Sequence, residues 1–260
     1  MISVKLIRYT PNGERLVAVS AKQSLSRKPF MYQWDKMSDS EVEVWIKETL
    51  KRNHFSPWEH SVYTFVIENC SRVCTHQLVR HRIASYTQLS QRFARMTGEY
   101  FGVVKPPRIA LNKEAERIFD KVVKESYETY LKLLDMGIAP EDARYILPQG
   151  VITKIVVTMN ARELHHFFGL RMCVKAQWEI RYVAWRMWQE VIKVHPLLFK
   201  WAGPRCITAE NISRKGEPVS LKDALSGKAE FTIERCPENI PREQIPICLR
   251  NAAKILEELK

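Results

Sequence analysis

The chain has 260 residues, of which 45% are hydrophobic, and it carries a formal net charge of +12 at pH 7. With seven Trp, nine Tyr and ten Phe residues, this composition is typical of a globular protein with a sizeable core and excludes a disordered chain. The charge indicates anionic partners, but the basic residues are spread along the chain without zinc-finger spacing, an RNP-like motif or a basic tail, so we do not expect nucleic acid to be the partner.

The first sixty residues are predicted to contain a strand and a helix. Residues 2–9 alternate between polar and apolar side chains and contain no long apolar run, so we expect a strand, no signal peptide and no membrane partner, and hence a cytoplasmic location. Residues 41–52 have helical spacing after a Ser-Asp-Ser cap. In the segment HFSPWEH, Ser56 and Glu59 have the spacing of a capping box. His54 would lie beside that helix start, which favours anions, or be an ordinary loop histidine.

A basic segment follows the next predicted strand, residues 61–68. Residues 71–80 are predicted to form a short helix capped by Ser71, on which Gln77 and Arg80 point the same way. The segment RHRIASYTQLSQR, from Arg80 to Arg92, follows as an extended or looped run. Guanidinium groups suit phosphates and the carbonyl edges of heterocycles, and Ser, Thr and Gln add neutral contacts. The segment therefore predicts nucleotide binding, with a solvated basic helix end as the alternative.

The second half of the chain is predicted to be mainly helical. Residues 113–136 form a long amphipathic helix, residues 151–158 a β-branched strand, and residues 161–171 and 175–194 two further helices. Arg144, in EDARYIL, would by itself be an exposed helix arginine. This mixed order of elements predicts an α+β domain.

Polar residues on the helix at 161–171 form a second candidate site. Asn160 is placed to cap this helix. Arg162 and His166 are four residues apart and share one face. Arg171 ends an otherwise apolar stripe, where an arginine either extends to solvent or contacts a ligand.

The last part of the chain is predicted to be an appended segment. A polar stretch over residues 207–234 precedes a terminal helix over residues 243–259. Cys173, Cys206, Cys236 and Cys248 could form a four-thiolate zinc site or disulfides, but no two of them have CxxC spacing. Free or packed thiols are therefore favoured, and we predict no metal.

Four segments in this order resemble the motifs of the flavin-dependent thymidylate synthases. They are HFSPWEH at 54–60, RHRIASYTQLS at 80–90, PEDARYILP at 140–148 and NARELHHFFGLRMCVKAQWEIR at 160–181. The resemblance implies a largely antiparallel sheet flanked by helices. It also implies a single catalytic domain over residues 1–203, which leaves residues 204–260 as an extension of unknown role.

The resemblance also implies roles for individual residues. Catalytic roles fall to Arg80, Ser90 and Arg171. The substrate-binding residues would be Gln77, Arg80, Gln88, Leu89, Ser90, Gln91, Arg92, Arg144 and Arg171. The cofactor-binding residues would be His54, Ser56, Glu59, Arg80, His81, Arg82, Ile83, Thr87, Gln88, Asn160, Arg162, His166 and Leu170. Thr87 and Gln88 replace an Asn and a Glu of some family members, and His166 stands where some carry Asn; Gln88 excludes acid–base chemistry at its position.

The implied reaction is the methylation of deoxyuridylate (dUMP) to thymidylate (dTMP). Methylenetetrahydrofolate would supply the carbon, FAD would be the redox cofactor, and NADPH would reduce the flavin. No cysteine is placed as a nucleophile, which agrees with a mechanism carried by the cofactor. A homotetramer is implied as well. The rival interpretations are a basic nucleic-acid-binding protein and a flavoprotein that acts on another nucleotide.

Overall fold

The protein is described by a computed structural model that covers residues 1–259. Its centre is a four-stranded antiparallel sheet with the order β1-β2-β4-β3. The strands are β1 (Ser3–Tyr9), β2 (Val62–Ser71), β3 (Ala84–Gln88) and β4 (Ile152–Asn160). Helices flank this sheet, so the predicted α+β class is confirmed.

The helices of the described residues surround the sheet. They are α1 (Gly13–Gln23), α2 (Phe30–Lys36), α3 (Asp39–Lys51), α4 (Arg72–Leu78), α5 (Pro107–Ala110), α6 (Lys113–Asp135), α7 (Pro140–Ala143), α8 (Ala161–Arg171), α9 (Trp178–Val194), α10 (Pro196–Phe199), α11 (Arg205–Ser213), α12 (Leu221–Ser226), α13 (Ile245–Ala253) and α14 (Ile255–Glu258). Short 3₁₀ helices lie at Ser56–His60, Gly98–Tyr100, Arg144–Ile146 and Arg242–Gln244. No helix within residues 1–259 is both long and apolar enough to span a membrane.

Helices α4 and α8 each begin at a residue whose side chain caps the helix. The Ser71 hydroxyl accepts a hydrogen bond from the Cys74 N–H at 3.0 Å, and the Asn160 side chain accepts one from the Glu163 N–H at 2.9 Å, as predicted. The capping box predicted at Ser56 is wrong. Ser56 lies inside a five-residue 3₁₀ helix that has no side-chain cap and runs directly into β2.

The core lies on one face of the sheet. Alternate residues of the two central strands, Tyr63, Phe65 and Ile67 in β2 and Ile155, Val157 and Met159 in β4, are almost completely buried. Helices α8 and α9 contribute Leu164, Phe168 and Trp185 to the same hydrophobic cluster. A second, smaller cluster around Met96, Tyr130, Ala143 and Val151 packs beneath α6.

Residues after 203 pack on the main core. Ile207, Leu221, Phe231, Leu249 and Ile255 are buried and belong to the same hydrophobic cluster as the central strands. Helix α11 contacts α8, and α14 contacts α9. The extension therefore shares its hydrophobic core with the preceding residues.

Candidate functional site

The turn after α4 and the C-terminal end of α8 lie side by side because the two helices start at opposite ends of the sheet. Ser71 pairs with Ile152 at one end of the β2–β4 ladder, and Val62 pairs with Asn160 at the other. Helix α4 starts after Ser71 and α8 after Asn160. Arg171, at the end of α8, lies beside the turn that follows α4, with Nη2 3.4 Å from the Gln77 carbonyl oxygen.

A buried chain of hydrogen bonds holds Arg171. Its Nε donates to His81 Nε2 at 3.1 Å, and His81 Nδ1 lies 3.2 Å from a Glu163 carboxylate oxygen. Because an arginine N–H can only donate, Nε2 must accept and the ring hydrogen on Nδ1 faces Glu163. His81 is 3% exposed and Glu163 is 5% exposed. Burial lowers the pKa of the half-buried Arg171 from its ordinary value, but this guanidinium remains charged at neutral pH.

The turn at residues 78–83 is fixed from two sides. The Tyr86 hydroxyl lies 2.9 Å from the Leu78 carbonyl oxygen and 2.7 Å from that of His81. The buried Glu179 of α9 accepts hydrogen bonds from the Ser71 N–H and hydroxyl at 2.6 and 2.5 Å, and this fixes the start of α4. The turn therefore presents the exposed side chains of Arg80, Arg82 and Ile83 outward.

A second basic group lies where residues 90–92 meet α7. The Arg92 guanidinium pairs with the Glu141 carboxylate at 2.5 Å, and Arg144 Nε donates to the Glu141 carbonyl oxygen at 3.0 Å. The Ser90 hydroxyl accepts the Arg92 N–H at 3.2 Å. Arg92 and Arg144 thus both contact Glu141, and Ser90 lies beside Arg92.

Arg72 belongs with this second group, although the sequence reasoning did not include it. Its Nη1 is buried and has no hydrogen-bond partner. Burial, and to a smaller extent the positive charge of Arg144, lowers the pKa of Arg72. A guanidinium in the first turn of a helix opposes the helix dipole, which favours acidic residues there. The unfavourable position of Arg72 in the first turn of α4 is the sequence feature that could have indicated a binding role.

Residues 87–91 are placed between the two groups, mainly by the sheet. The Gln88 side-chain amide donates to the hydroxyls of Thr75 and Thr153 at 2.9 and 3.2 Å. The Leu89 N–H donates to the Lys154 carbonyl at 3.0 Å. Gln91 is buried and Thr87 is exposed. The Gln88 amide hydrogens are thus used in contacts with Thr75 of α4 and Thr153 of β4.

The cofactor-binding residues predicted on α8 line an open groove. Arg162, His166 and Leu170 border a cavity of about 340 Å³ together with Arg205 of α11. Arg162 forms an ion pair with Glu59 at 2.5 Å. Asn160, at the start of α8, uses its side-chain oxygen as the helix cap.

His54 and Ser56 face a different groove. They border a cavity of about 660 Å³ between α1 and α3, lined also by Leu25, Trp45 and Arg52. These predicted cofactor-binding residues thus border two neighbouring grooves, which are linked by the ion pair between Arg162 and Glu59 of the 3₁₀ helix that contains Ser56.

His81, Glu163 and His166 also have a metal-like spacing, since their donor atoms lie within 4.8 Å of one another. However, Arg171 already donates to His81 Nε2, the ring nitrogen that could otherwise bind a cation. A guanidinium and a metal ion would also repel each other there. We interpret these residues as a hydrogen-bonded support for Arg171.

Comparisons with known proteins agree with these motifs. The family model described as "Thymidylate synthase complementing protein" matches residues 5–197. The chain is 52% identical over its full length to the flavin-dependent thymidylate synthase of Sulfurisphaera tokodaii, which it also covers completely. It is 46% identical to that of Pyrococcus furiosus, over 80% of this chain and 87% of the relative. The chain belongs to the family of flavin-dependent thymidylate synthases.

A solved structure shares the fold. The crystal structure of the UMP/dUMP methylase PolB from Streptomyces cacaoi, bound with 5-Br dUMP, has a TM-score of 0.65 and 26% sequence identity. The similarity covers 76% of this chain and 93% of that chain. The resemblance drawn from four short motifs is thus confirmed over most of the chain.

Proposed function

We propose that this protein methylates dUMP at C5 to give dTMP, with methylenetetrahydrofolate as carbon donor, FAD as redox cofactor and NADPH as reductant. Family membership and the names of the relatives support a flavin-dependent thymidylate synthase. The structural observation that carries the proposal is the buried Glu163–His81 pair, which aims Arg171 at the turn containing Arg80.

Arg171 and Arg80 are the proposed catalytic groups on the pyrimidine side. Charge that develops on a uracil carbonyl is stabilised best by donors whose positions are already fixed. Arg171 meets that condition, because two of its nitrogens contact His81 and the Gln77 carbonyl while its other N–H groups remain available. Arg80 is exposed on the neighbouring turn. We place the uracil ring between these two side chains.

The second basic group suits the phosphate of the nucleotide. Arg72, Arg92, Arg144 and Ser90 offer guanidinium and hydroxyl donors, and the orphaned Arg72 Nη1 has a vacant hydrogen bond to give. Charge-assisted hydrogen bonds contribute roughly 1.5–3 kcal/mol each. A phosphate dianion would also relieve the repulsion between Arg72 and Arg144. Leu89 and Gln91, which flank Ser90, would contact the nucleotide through their backbone groups.

The groove beside α8 suits an anionic cofactor. Arg162, Arg205 and His166 supply donors around its 340 Å³ cavity, and Leu170 supplies an apolar wall, which is the mixture expected of a flavin site. When bound, reduced flavin would supply the hydride. The residues of this chain bind and orient it; Thr87, Arg82 and Ile83 are exposed where a second molecule could reach them.

The divided cofactor residues support an assembly of several chains. His54 and Ser56 line one groove and Arg162 and His166 line the neighbouring one, and we infer that a second chain completes a cofactor site across them. We propose a cytoplasmic homotetramer whose chains each contain a catalytic domain, residues 1–203, and an extension, residues 204–260. Sedimentation analysis of the purified protein tests the assembly.

The reaction is tested by tritium release from dUMP labelled at C5. Release should require methylenetetrahydrofolate and NADPH, and the purified protein should show flavin absorption. A colourless protein that binds RNA would favour the nucleic-acid interpretation. A yellow protein that releases tritium from another labelled nucleotide, and not from dUMP, would favour the related flavoprotein.

A further inference from the structure

Four cysteines from separate segments line one small cavity. Cys173 follows α8, Cys206 lies in the first turn of α11, Cys236 lies in the loop before α13, and Cys248 lies in α13. All four are free thiols. None of them has a place in the proposed catalytic machinery. The two other cysteines, Cys70 and Cys74, lie elsewhere in the core, in β2 and α4.

The size and walls of the cavity limit what it can hold. Its volume is about 20 Å³, which is room for roughly one water-sized atom. Besides the sulfur atoms, the lining includes Ile240, Ile245 and Leu249. Water needs several polar partners, and an organic ligand needs a far larger space. A single ion that prefers sulfur ligands fits both limits.

The charges around the cavity suit an anionic metal–thiolate group. Four thiolates around a divalent cation carry a net negative charge, and Lys175 and Arg205 border the cavity; Glu238 is the acidic residue in the same lining. The Ile240 N–H donates to the Cys236 sulfur at 3.4 Å. This loop is closed by the Cys236 N–H, which donates to the Ile240 carbonyl at 2.9 Å.

Although the sequence favours free or packed thiols, the shared cavity brings these four residues together, and we propose that Cys173, Cys206, Cys236 and Cys248 form a mononuclear zinc site with four thiolate ligands. Among the described residues, no three of these sulfur atoms lie within 4.8 Å of one another. Zinc–sulfur bonds are about 2.3 Å long, so the sulfur atoms must move closer together when the metal binds. Each sulfur can be redirected by rotation about a single side-chain torsion. As four Zn–S bonds form, the four thiol protons leave to solvent, and no oxidant or reductant is needed.

Such a site would tie the extension to the catalytic helix. Three of the ligands belong to residues 204–260, and the fourth, Cys173, lies two residues after Arg171. The zinc ion would therefore link the proposed extension to the end of α8. This inference does not depend on the proposed reaction.

The metal content of the purified full-length protein tests the proposal. Protein prepared without chelator and with a non-thiol reductant should contain about one zinc ion per chain. Cys236→Ser and Cys248→Ser should lose most of that zinc, whereas the matched control Cys70→Ala should retain it, because Cys70 lies outside the cluster. Circular dichroism establishes that each variant is folded.

A second measurement covers the case in which a serine variant does not fold. Wild-type protein stripped of metal and titrated with Co²⁺ should develop thiolate-to-cobalt charge-transfer absorption, which zinc then abolishes. Absence of both zinc and the cobalt band in folded wild-type protein would overturn the proposal. So would stoichiometric iron in place of zinc, or an intact mass showing that the four cysteines form disulfides.

Discussion

Neutralising Glu163 should weaken catalysis without unfolding the protein. In Glu163→Gln the amide oxygen can still accept the His81 Nδ1 hydrogen, so the hydrogen bond survives and only its charge is lost. Hydrogen bonds to charged groups contribute roughly 1.5–3 kcal/mol, and neutral ones about 0.5–1.5 kcal/mol. The difference of about 1–1.5 kcal/mol corresponds to roughly a five- to tenfold fall in kcat/KM for dUMP if all of it is expressed in the transition state.

Tritium-release kinetics on protein of measured flavin content provide the assay. Glu190→Gln is the matched control, because Glu190 of α9 pairs with Lys193 near the surface and its neutralisation should leave kcat/KM unchanged. Arg171→Ala, measured alongside, should lower nucleotide affinity strongly. If Arg171→Ala is inactive while Glu163→Gln retains the wild-type kcat/KM, then Glu163 does not align Arg171 through His81. Loss of flavin from Glu163→Gln would instead show that the pair supports the cofactor.

Three further predictions concern the phosphate, the cofactor and pH. Arg72→Ala should weaken dUMP binding about ten- to a hundredfold but leave deoxyuridine binding unchanged in calorimetry; equal losses for both ligands would contradict a phosphate contact. Arg162→Ala should lower the flavin content of purified protein measured by absorbance, and full retention would exclude the proposed contact. Burial lowers the pKa of His165 to about 4, so the free energy of unfolding should fall by roughly 3 kcal/mol as the pH falls from about 6.5 to 4, when the unfolded chain takes up the proton first. Urea titrations of His165→Gln should show a smaller loss, and an identical pH dependence in both proteins would refute this assignment.

Local rules predicted the parts of the fold that depend on neighbouring residues. The caps Ser71 and Asn160 were readable because a capping side chain acts within three residues of itself. Strands β1 and β2 followed from the alternation of polar and apolar residues. Helix α8 was predicted with the same limits that the structure shows, since its cap and its apolar spacing agree.

Helix α1 was missed because its start depends on distant residues. It follows Asn12, which is in the left-handed conformation and forms no side-chain cap. A Cβ at Gly13 would lie 2.6 Å from His195 Cε1, and the Gly13 N–H donates to His195 Nε2 at 3.1 Å. These contacts join residues 182 positions apart, so no pattern among neighbouring residues in the sequence predicts them.

The same limit applies to the candidate site. The motifs named Arg171 and His81 separately, but their connection through Glu163, 82 positions from His81, exists only in the folded chain. The position of Arg72 in the first turn of a helix is visible in the sequence. That its Nη1 atom is buried without a hydrogen-bond partner is visible only in the structure.

The two hydrogen bonds that Ser71 donates to Glu179 make α9, a helix to which no binding role is assigned, responsible for the orientation of α4. A variant of α9 could therefore fold normally, bind flavin and still turn over slowly, because the arginines would be displaced by fractions of an ångström. Screens that rank substitutions by thermal stability alone would pass such a variant as harmless.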